Sequence, residues 1–155
     1  MPTALRETNI PWRDLLLDPN NLRFHDYDDF VQAAPARFHE ESVQKRTFIR
    51  LKDEVQALKK SIIANGYIAI EKIIVRPYEH QAGKYLVIEG NRRVAAVKWI
   101  HDDVDAGLAL PAGVAASIYN LPCVVAEEAE PDLLFRACLM GIRHVSGIDD
   151  WGGYQ

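Results

Sequence analysis

The chain has 155 residues, of which 48% are hydrophobic, so it is long enough for one domain with a substantial core and too short for two ordinary domains. Acidic residues outnumber basic residues by 22 to 18, and the net charge of −4 is the opposite of the basic surface expected of a domain that binds DNA unaided. No stretch approaches the roughly 18 apolar residues that span a bilayer, and no apolar leader opens the chain. We therefore expect a single cytoplasmic domain with no membrane segment.

The first half of the chain is predicted to contain a strand, an insertion and a helix. A short apolar strand at residues 14–17 is followed by Pro and Asn turn residues, so Arg23 lies just past a turn. Residues 24–47 show no clear periodicity and are interpreted as an irregular or partly helical surface insertion. Residues 49–65 repeat apolar side chains at helical spacing, and Gly66 marks the end of that helix.

The second half of the chain is predicted to alternate strands and helices. Two β-rich runs at residues 72–77 and 84–89 precede a helix at 92–101, a strand at 121–125 and a helix at 131–141. The order predicts an α/β fold with a small mixed β-sheet and surrounding helices. Because residues 151–155 fall where a further helix would begin, we expect the natural chain to continue, and residues 142–155 are interpreted as a switch-like segment.

The turn between the second and third predicted elements of this half has the features of an anion site. A glycine, Gly90, follows the strand, and Arg92 and Arg93 open the helix. Free backbone N–H groups and the helix dipole point at such a turn, glycine allows close backbone approach, and arginine donates charge-assisted hydrogen bonds to phosphate oxygens. The alternative is a glycine turn with no ligand, followed by a solvent-exposed helix N-terminus, since short glycine loops are weak signals by themselves.

Three sequence blocks resemble the ParB family in the order in which that family has them. The segment YLVIEGNRRVAA at residues 85–96 is similar to the family's strand, Gly-Glu-Arg-Arg loop and alanine-rich helix. The segment LKKSIIANG at residues 58–66 and the strand IIVRP at 73–77 resemble the blocks before that loop. Upstream, DPNNLR at residues 18–23 is similar to the family's Asn-Pro-x-Gln-Pro-Arg motif and retains Arg23.

The resemblance implies a ParB/sulfiredoxin-like fold and a nucleotide-dependent switch. ParB proteins bind CTP with Mg²⁺ and use it to control self-association, so the implied partners are CTP and a second copy of the chain, with a separate protein partner also possible. Downstream, residues 137–151 occupy the place of the family's last motif, Glu-Asn-x-x-Arg. The implied nucleotide-binding residues are Arg23 from the first motif, the loop itself (Gly90, Asn91, Arg92 and Arg93), and Arg143 and His144 from the last motif, which would close the phosphate site.

Two departures from the family pattern limit the expected chemistry. Asn91 stands where the family loop has Glu, and Met140 and Gly141 stand where its last motif has a Glu and an Asn that support metal binding and hydrolysis. Neither Met140 nor Gly141 can hold a metal or orient water through its side chain. We therefore expect at most a slow CTPase, with Mg²⁺ bound through the triphosphate oxygens and water.

Two other functions are alternatives to the CTP-dependent switch. A sulfiredoxin-type ATP-dependent enzyme is disfavoured because that chemistry uses a loop cysteine, and Cys123 and Cys138 are interpreted instead as buried thiols. An NTP-hydrolysing or DNA-processing, nuclease-like domain would call for a basic surface or a carboxylate cluster. Glu89 is more simply a hydrogen-bond acceptor than a general base, and His144 has a structural alternative as a helix C-terminal histidine.

Overall fold

The computed structural model describes residues 5–21, 24, 30–69 and 72–127. The described part of the chain contains strands β1 (Leu5–Pro11), β2 (Leu15–Leu16), β3 (Ile73–Pro77), β4 (Tyr85–Glu89) and β5 (Asn120–Ala126). Its helices are α1 (Glu41–Lys52), α2 (Gln56–Asn65), α3 (Asn91–Asp105) and α4 (Ala112–Ser117). Short 3-10 turns occur at Trp12–Asp14 and Pro35–Arg37. The predicted α/β class is confirmed.

The strands form one mixed sheet in the order β1-β5-β3-β4-β2. The β1/β5 and β3/β4 pairs are antiparallel, whereas β5/β3 and β4/β2 are parallel. Strand β4 therefore runs beside β2, and the segment that follows β2 lies next to the turn that follows β4. This arrangement brings residues 18–20 and 90–93 together although they are far apart in sequence.

One face of the sheet carries the main core. Because alternate residues of a strand face the same side, the residues of β3 and β5 that present their side chains to the helices are Ile73, Val75, Leu121, Cys123 and Val125. Helix α3 packs there through a run of small and β-branched side chains, which allows the helix to approach the sheet closely. The fully buried residues of this contact are Ile73, Val75, Leu121, Val125, Val94, Ala95, Ala96, Val97 and Ile100. A smaller cluster of Leu16, Phe38, Tyr78 and Leu86 forms separately.

The predicted helix over residues 49–65 is wrong in its first part, because the chain forms two helices there. Helix α1 ends at Lys52, a break follows, and α2 begins at Gln56. Helix α1 starts inside the segment that the sequence pattern left irregular, and it buries Val43, Thr47 and Leu51 at a spacing of four residues. Thr47 obscures this stripe in the sequence because it is polar, yet its hydroxyl donates to the Val43 carbonyl oxygen and is satisfied within the helix (2.8 Å).

Two other elements are not predicted by the sequence pattern. Strand β1 shows a weak pattern because Ile10 is its only fully buried residue, and its position is set by pairing with β5. Helix α4 is short and begins after Pro111 in a stretch of small residues. The predicted helix at 131–141 and the segment at 142–155 lie outside the described residues. Within the described residues, no helix is long and apolar enough to cross a membrane.

Candidate functional site

The turn between β4 and α3 requires glycine for two independent reasons. Gly90 has φ +105°, in the left-handed region where a Cβ is disfavoured. A Cβ at this position would also lie 3.1 Å from Ile73 Cγ1 and 3.3 Å from Ile73 Cα. The second of these atoms is backbone in a fully buried strand residue, so it cannot move aside easily. The chain can therefore make this turn directly against β3 only with glycine.

Helix α3 starts at this turn and directs its first backbone N–H groups toward it. The Gly90 carbonyl accepts from the Val94 N–H at 3.1 Å, which closes the first helical turn. The N–H groups of the preceding helical residues have no acceptor within the helix, and no side chain caps this end. Arg92 is exposed and Arg93 is half-buried at the same end. Two guanidinium groups thus stand beside a helix N-terminus, an arrangement suited to binding an anion.

Asn91 has a structural role inside the turn. Its side chain is almost fully buried, its Oδ1 accepts from the Asp18 N–H at 2.8 Å, and its Nδ2 donates to the Val87 carbonyl oxygen at 3.2 Å. Both polar atoms of the amide are therefore used by the protein backbone. The family resemblance predicts that Asn91 contacts a nucleotide; in this arrangement only its backbone N–H is suitably placed for that.

Residues 18–20 form a second wall beside the turn. Asp18 accepts from the Asn20 N–H at 2.9 Å, which makes a local side-chain turn of the kind expected for Asp-Pro-Asn. Asn20 in turn binds Ala33 twice, donating to its carbonyl oxygen at 2.9 Å and accepting from its N–H at 2.8 Å. We call residues 18–20 the Asp-Pro-Asn loop; it connects the 90–93 turn with the segment that precedes α1.

Helix α1 is attached to the same region through Gln44. Its Nε2 donates to the carbonyl oxygens of Leu17 and Phe38, and its Oε1 accepts from the Leu17 N–H at 2.9 Å. These bonds fix α1 against the end of β2. Neither Gln44 nor Asn20 stands out in the sequence as a functional residue. The sequence signals for this region are the Asp-Pro-Asn turn pattern and the resemblance of residues 18–23 to the family's first motif, and neither indicates the distant partners.

The structure brings four of the predicted site residues together and does not describe the others. Residues 90–93 form one continuous turn and helix start. Arg23, Arg143 and His144 lie outside the described residues. Among the described residues, no group of three His, Cys, Asp or Glu side chains is arranged to hold a metal ion. The described turn offers the first N–H groups of α3 and the guanidinium groups of Arg92 and Arg93 as donors toward an anion.

A model of the ParB N-terminal domain family matches residues 24–108, more than half of the chain. The chain belongs to the ParB N-terminal domain family. This confirms the family that the sequence blocks resemble. The matched segment contains the 90–93 turn and also α1, so the residues interpreted as an insertion fall within the family's range. Arg23, Arg143 and His144 lie outside the match.

Comparisons with individual proteins are less informative than the family match. No curated protein matches the chain in sequence. One solved structure that is similar is the crystal structure of the C-terminally truncated chromosome-partitioning protein ParB from Caulobacter crescentus complexed with CTP-γ-S. It has 20% sequence identity and a TM-score of 0.46, with 89% of this chain and 53% of that chain covered. This ParB-family chain therefore spans about half the length of that protein.

Proposed function

We propose that this ParB N-terminal domain binds a nucleoside triphosphate at the 90–93 turn and that the nucleotide is CTP. The observation that carries the proposal is the geometry of Gly90, whose positive φ and contact with Ile73 admit no side chain at the residue that directly precedes α3. A turn of this kind is a common phosphate-binding arrangement. Membership of the ParB family supports CTP as the nucleotide.

The triphosphate would be bound mainly by backbone and guanidinium groups. The first N–H groups of α3 would donate to phosphate oxygens, and Arg92 and Arg93 would add charge-assisted hydrogen bonds. The Asn91 side chain would stay with Asp18 and Val87 and keep the turn in shape. By the family resemblance, Arg23, Arg143 and His144 would complete the phosphate site.

The described residues fit a magnesium ion that is held chiefly by the nucleotide. No described cluster of carboxylates is available as a metal cage, and Mg²⁺ commonly binds through substrate phosphates and several waters. When bound, the ion would neutralise part of the phosphate charge. Met140 and Gly141 stand in place of the family's Glu and Asn, so we propose that hydrolysis is slow or absent.

A nucleotide that is bound and hydrolysed slowly is suited to regulation. We propose that CTP occupancy controls self-association of the domain or docking of a protein partner, by ordering residues 142–155 against the nucleotide. This requires that CTP bind the associating form more tightly than the free form, since a ligand shifts an equilibrium only by its difference in affinity. Cytoplasmic localisation is part of the same proposal.

Isothermal titration calorimetry of the chain with CTP, ATP, GTP and UTP in Mg²⁺ tests the ligand. We expect binding of CTP and about a tenfold or greater loss in Arg93→Ala, because a hydrogen bond to a charged group contributes about 1.5–3 kcal/mol. Lys60→Ala is the matched control, since Lys60 is an exposed basic residue on α2. Absence of heat with all four nucleotides would refute the assignment.

Sedimentation velocity with and without CTP and Mg²⁺ tests the switch separately. We expect a CTP-dependent shift from monomer to dimer in the wild-type chain, and no shift in Arg93→Ala. A chain that binds CTP by calorimetry but sediments identically with and without it would rule out control of self-association and leave partner docking.

A further inference from the structure

A second concave surface lies between α1 and the segment before it. We call it the α1 cleft. Its volume is about 480 Å³, within the range of about 300–1,000 Å³ typical of small-molecule sites. One wall is the segment at residues 30–34 and the other is a face of α1. Its described lining consists of Pro19, Phe30, Val31, Gln32, Ala33, Ala34, Arg37, Val43, Arg46, Thr47 and Arg50.

The charged side chains in the described lining of the α1 cleft are all arginines. Arg37, Arg46 and Arg50 line it, and its described lining includes no Asp or Glu. Arg46 and Arg50 are one helical turn apart, a like-charge spacing that is mildly unfavourable in an isolated helix. Residues 37–52 contain five basic and two acidic residues, whereas the whole chain carries −4. The described lining of the α1 cleft thus carries three arginines in a chain whose net charge is −4.

Among the arginines of the α1 cleft, Arg37 is held by an ion pair. Arg37 is paired with Glu40, whose carboxylate lies 2.9 Å from the Arg37 Nη2, and this contact lowers the pKa of Glu40. Glu40 does not line the cleft. The ion pair therefore holds the Arg37 guanidinium from a residue outside the described lining of the cleft. The α1 cleft has guanidinium groups on one wall and apolar side chains on the other, including Phe30 and Val31.

The walls of the α1 cleft are held in place by hydrogen bonds away from its mouth. Gln44 attaches α1 to Leu17, and Asn20 attaches Ala33 to the Asp-Pro-Asn loop. The Thr47 hydroxyl is satisfied by the Val43 carbonyl oxygen within α1. The two walls are therefore fixed relative to each other, which lowers the ordering cost of binding a ligand between them.

We propose that the α1 cleft is a second binding site, for a small organic phosphate. Arg46 would bind the phosphate in the bidentate geometry that a guanidinium group favours, and Phe30 and Val31 would contact the organic part. The site is separate from the 90–93 turn and does not depend on the triphosphate assignment there. The Asp-Pro-Asn loop lies between the two.

The test uses ¹H–¹⁵N NMR titration of the full 155-residue chain with phenyl phosphate, inorganic phosphate and benzoate. We expect phenyl phosphate to shift the backbone amide signals of Ala33 and Thr47 and to bind more tightly than either of the other two. Arg46→Ala should weaken this binding about tenfold or more, because it removes a charged donor. Arg46→Lys should restore part of it, since charge is kept and the bidentate geometry is lost.

Matched variants separate a cleft from a merely basic surface. Lys45→Ala removes an adjacent exposed charge that does not line the cleft, and it should leave phenyl phosphate affinity unchanged. In Arg93→Ala, phenyl phosphate should still shift the amide signals of Ala33 and Thr47, whatever the effect of this substitution on phosphate binding at the 90–93 turn. The proposal is overturned if Arg46→Ala behaves like Lys45→Ala, if Arg93→Ala alone abolishes the shifts, or if only a DNA duplex produces them. Dispersed amide spectra of each variant exclude loss of fold as the cause.

Discussion

Substitution of Gly90 by alanine tests whether the 90–93 turn is as tightly constrained as the structure indicates. Gly90 adopts φ +105°, and an added Cβ would meet both the side chain and the backbone of Ile73. Gly107 offers a matched comparison, because its φ is +115° and a Cβ added there would have nothing within 4 Å. Both variants have the backbone penalty of an L-residue at positive φ, and only Gly90→Ala adds a steric conflict.

The expected magnitudes follow from these two contributions. A non-glycine residue in the left-handed region costs about 1–2 kcal/mol, which is the whole effect expected for Gly107→Ala. Overpacking of a well-packed core adds about 1–3 kcal/mol, so Gly90→Ala should lose about 2–5 kcal/mol in total. At about 2–4 °C per kcal/mol for a chain of this size, the melting temperature of Gly90→Ala should fall by roughly 5–20 °C.

Urea denaturation followed by circular dichroism measures the free energy of unfolding of both variants. If Ile73 is the obstacle, Gly90→Ala is less stable than Gly107→Ala by about 1–3 kcal/mol. Equal destabilisation of the two variants would show that Ile73 does not lie as close to Gly90 as the structure indicates. CTP titration of the surviving folded Gly90→Ala should also show weaker binding, since a displaced turn no longer directs its N–H groups at one point.

Three further outcomes are expected. Asn91→Ala should cost about 2–4 kcal/mol in urea denaturation, because the part-buried Asp18 N–H and the buried Val87 carbonyl lose this partner. A cost below about 1 kcal/mol, of order one ordinary hydrogen bond, would contradict this. Burial raises the pKa of the Cys123 thiol to about 12, so iodoacetamide at about pH 8 should label Cys123 only after unfolding. Mass spectrometry maps the labelled residue, and labelling of Cys123 in the folded chain would refute its burial. Burial lowers the pKa of Lys98 from 10.5 to about 8. Between these values the folded state binds fewer protons than the unfolded state, so the free energy of unfolding should rise between about pH 8 and pH 10.5. Lys98→Met should flatten that rise, and an unchanged slope would show that Lys98 is not its cause.

The strand, turn and helix at residues 85–96 are predictable because their signals are local. A β-rich run, a glycine and a helix-forming run follow one another directly, and each is visible without knowledge of the tertiary structure. The strands at 72–77 and 121–125 are predicted within a residue or two for the same reason. The position of β1 depends instead on pairing with β5, more than a hundred residues later in the chain.

The amide side chains around the site could not be predicted, because polar residues carry no periodic signal and their partners are remote. The Asp18 N–H and the Asn91 Oδ1 that it binds are 73 positions apart, and Gln44 is 27 positions from Leu17. A Pro-Asn turn and a surface glutamine are each ordinary when considered alone. Their common function, which is to attach the Asp-Pro-Asn loop and α1 to the sheet, emerges only when the strands are paired.

The departure from the family's loop at position 91 has a physical reason in this chain. The two groups that surround the side chain are an N–H of Asp18, which needs an acceptor, and the carbonyl of Val87, which needs a donor. An amide satisfies both, whereas an ionised Glu can only accept and would place a negative charge against the carbonyl oxygen. Burial of that charge would add a further cost. The turn therefore uses residue 91 for its own stability, and in the proposed function anion binding falls to the backbone N–H groups and the two arginines that follow.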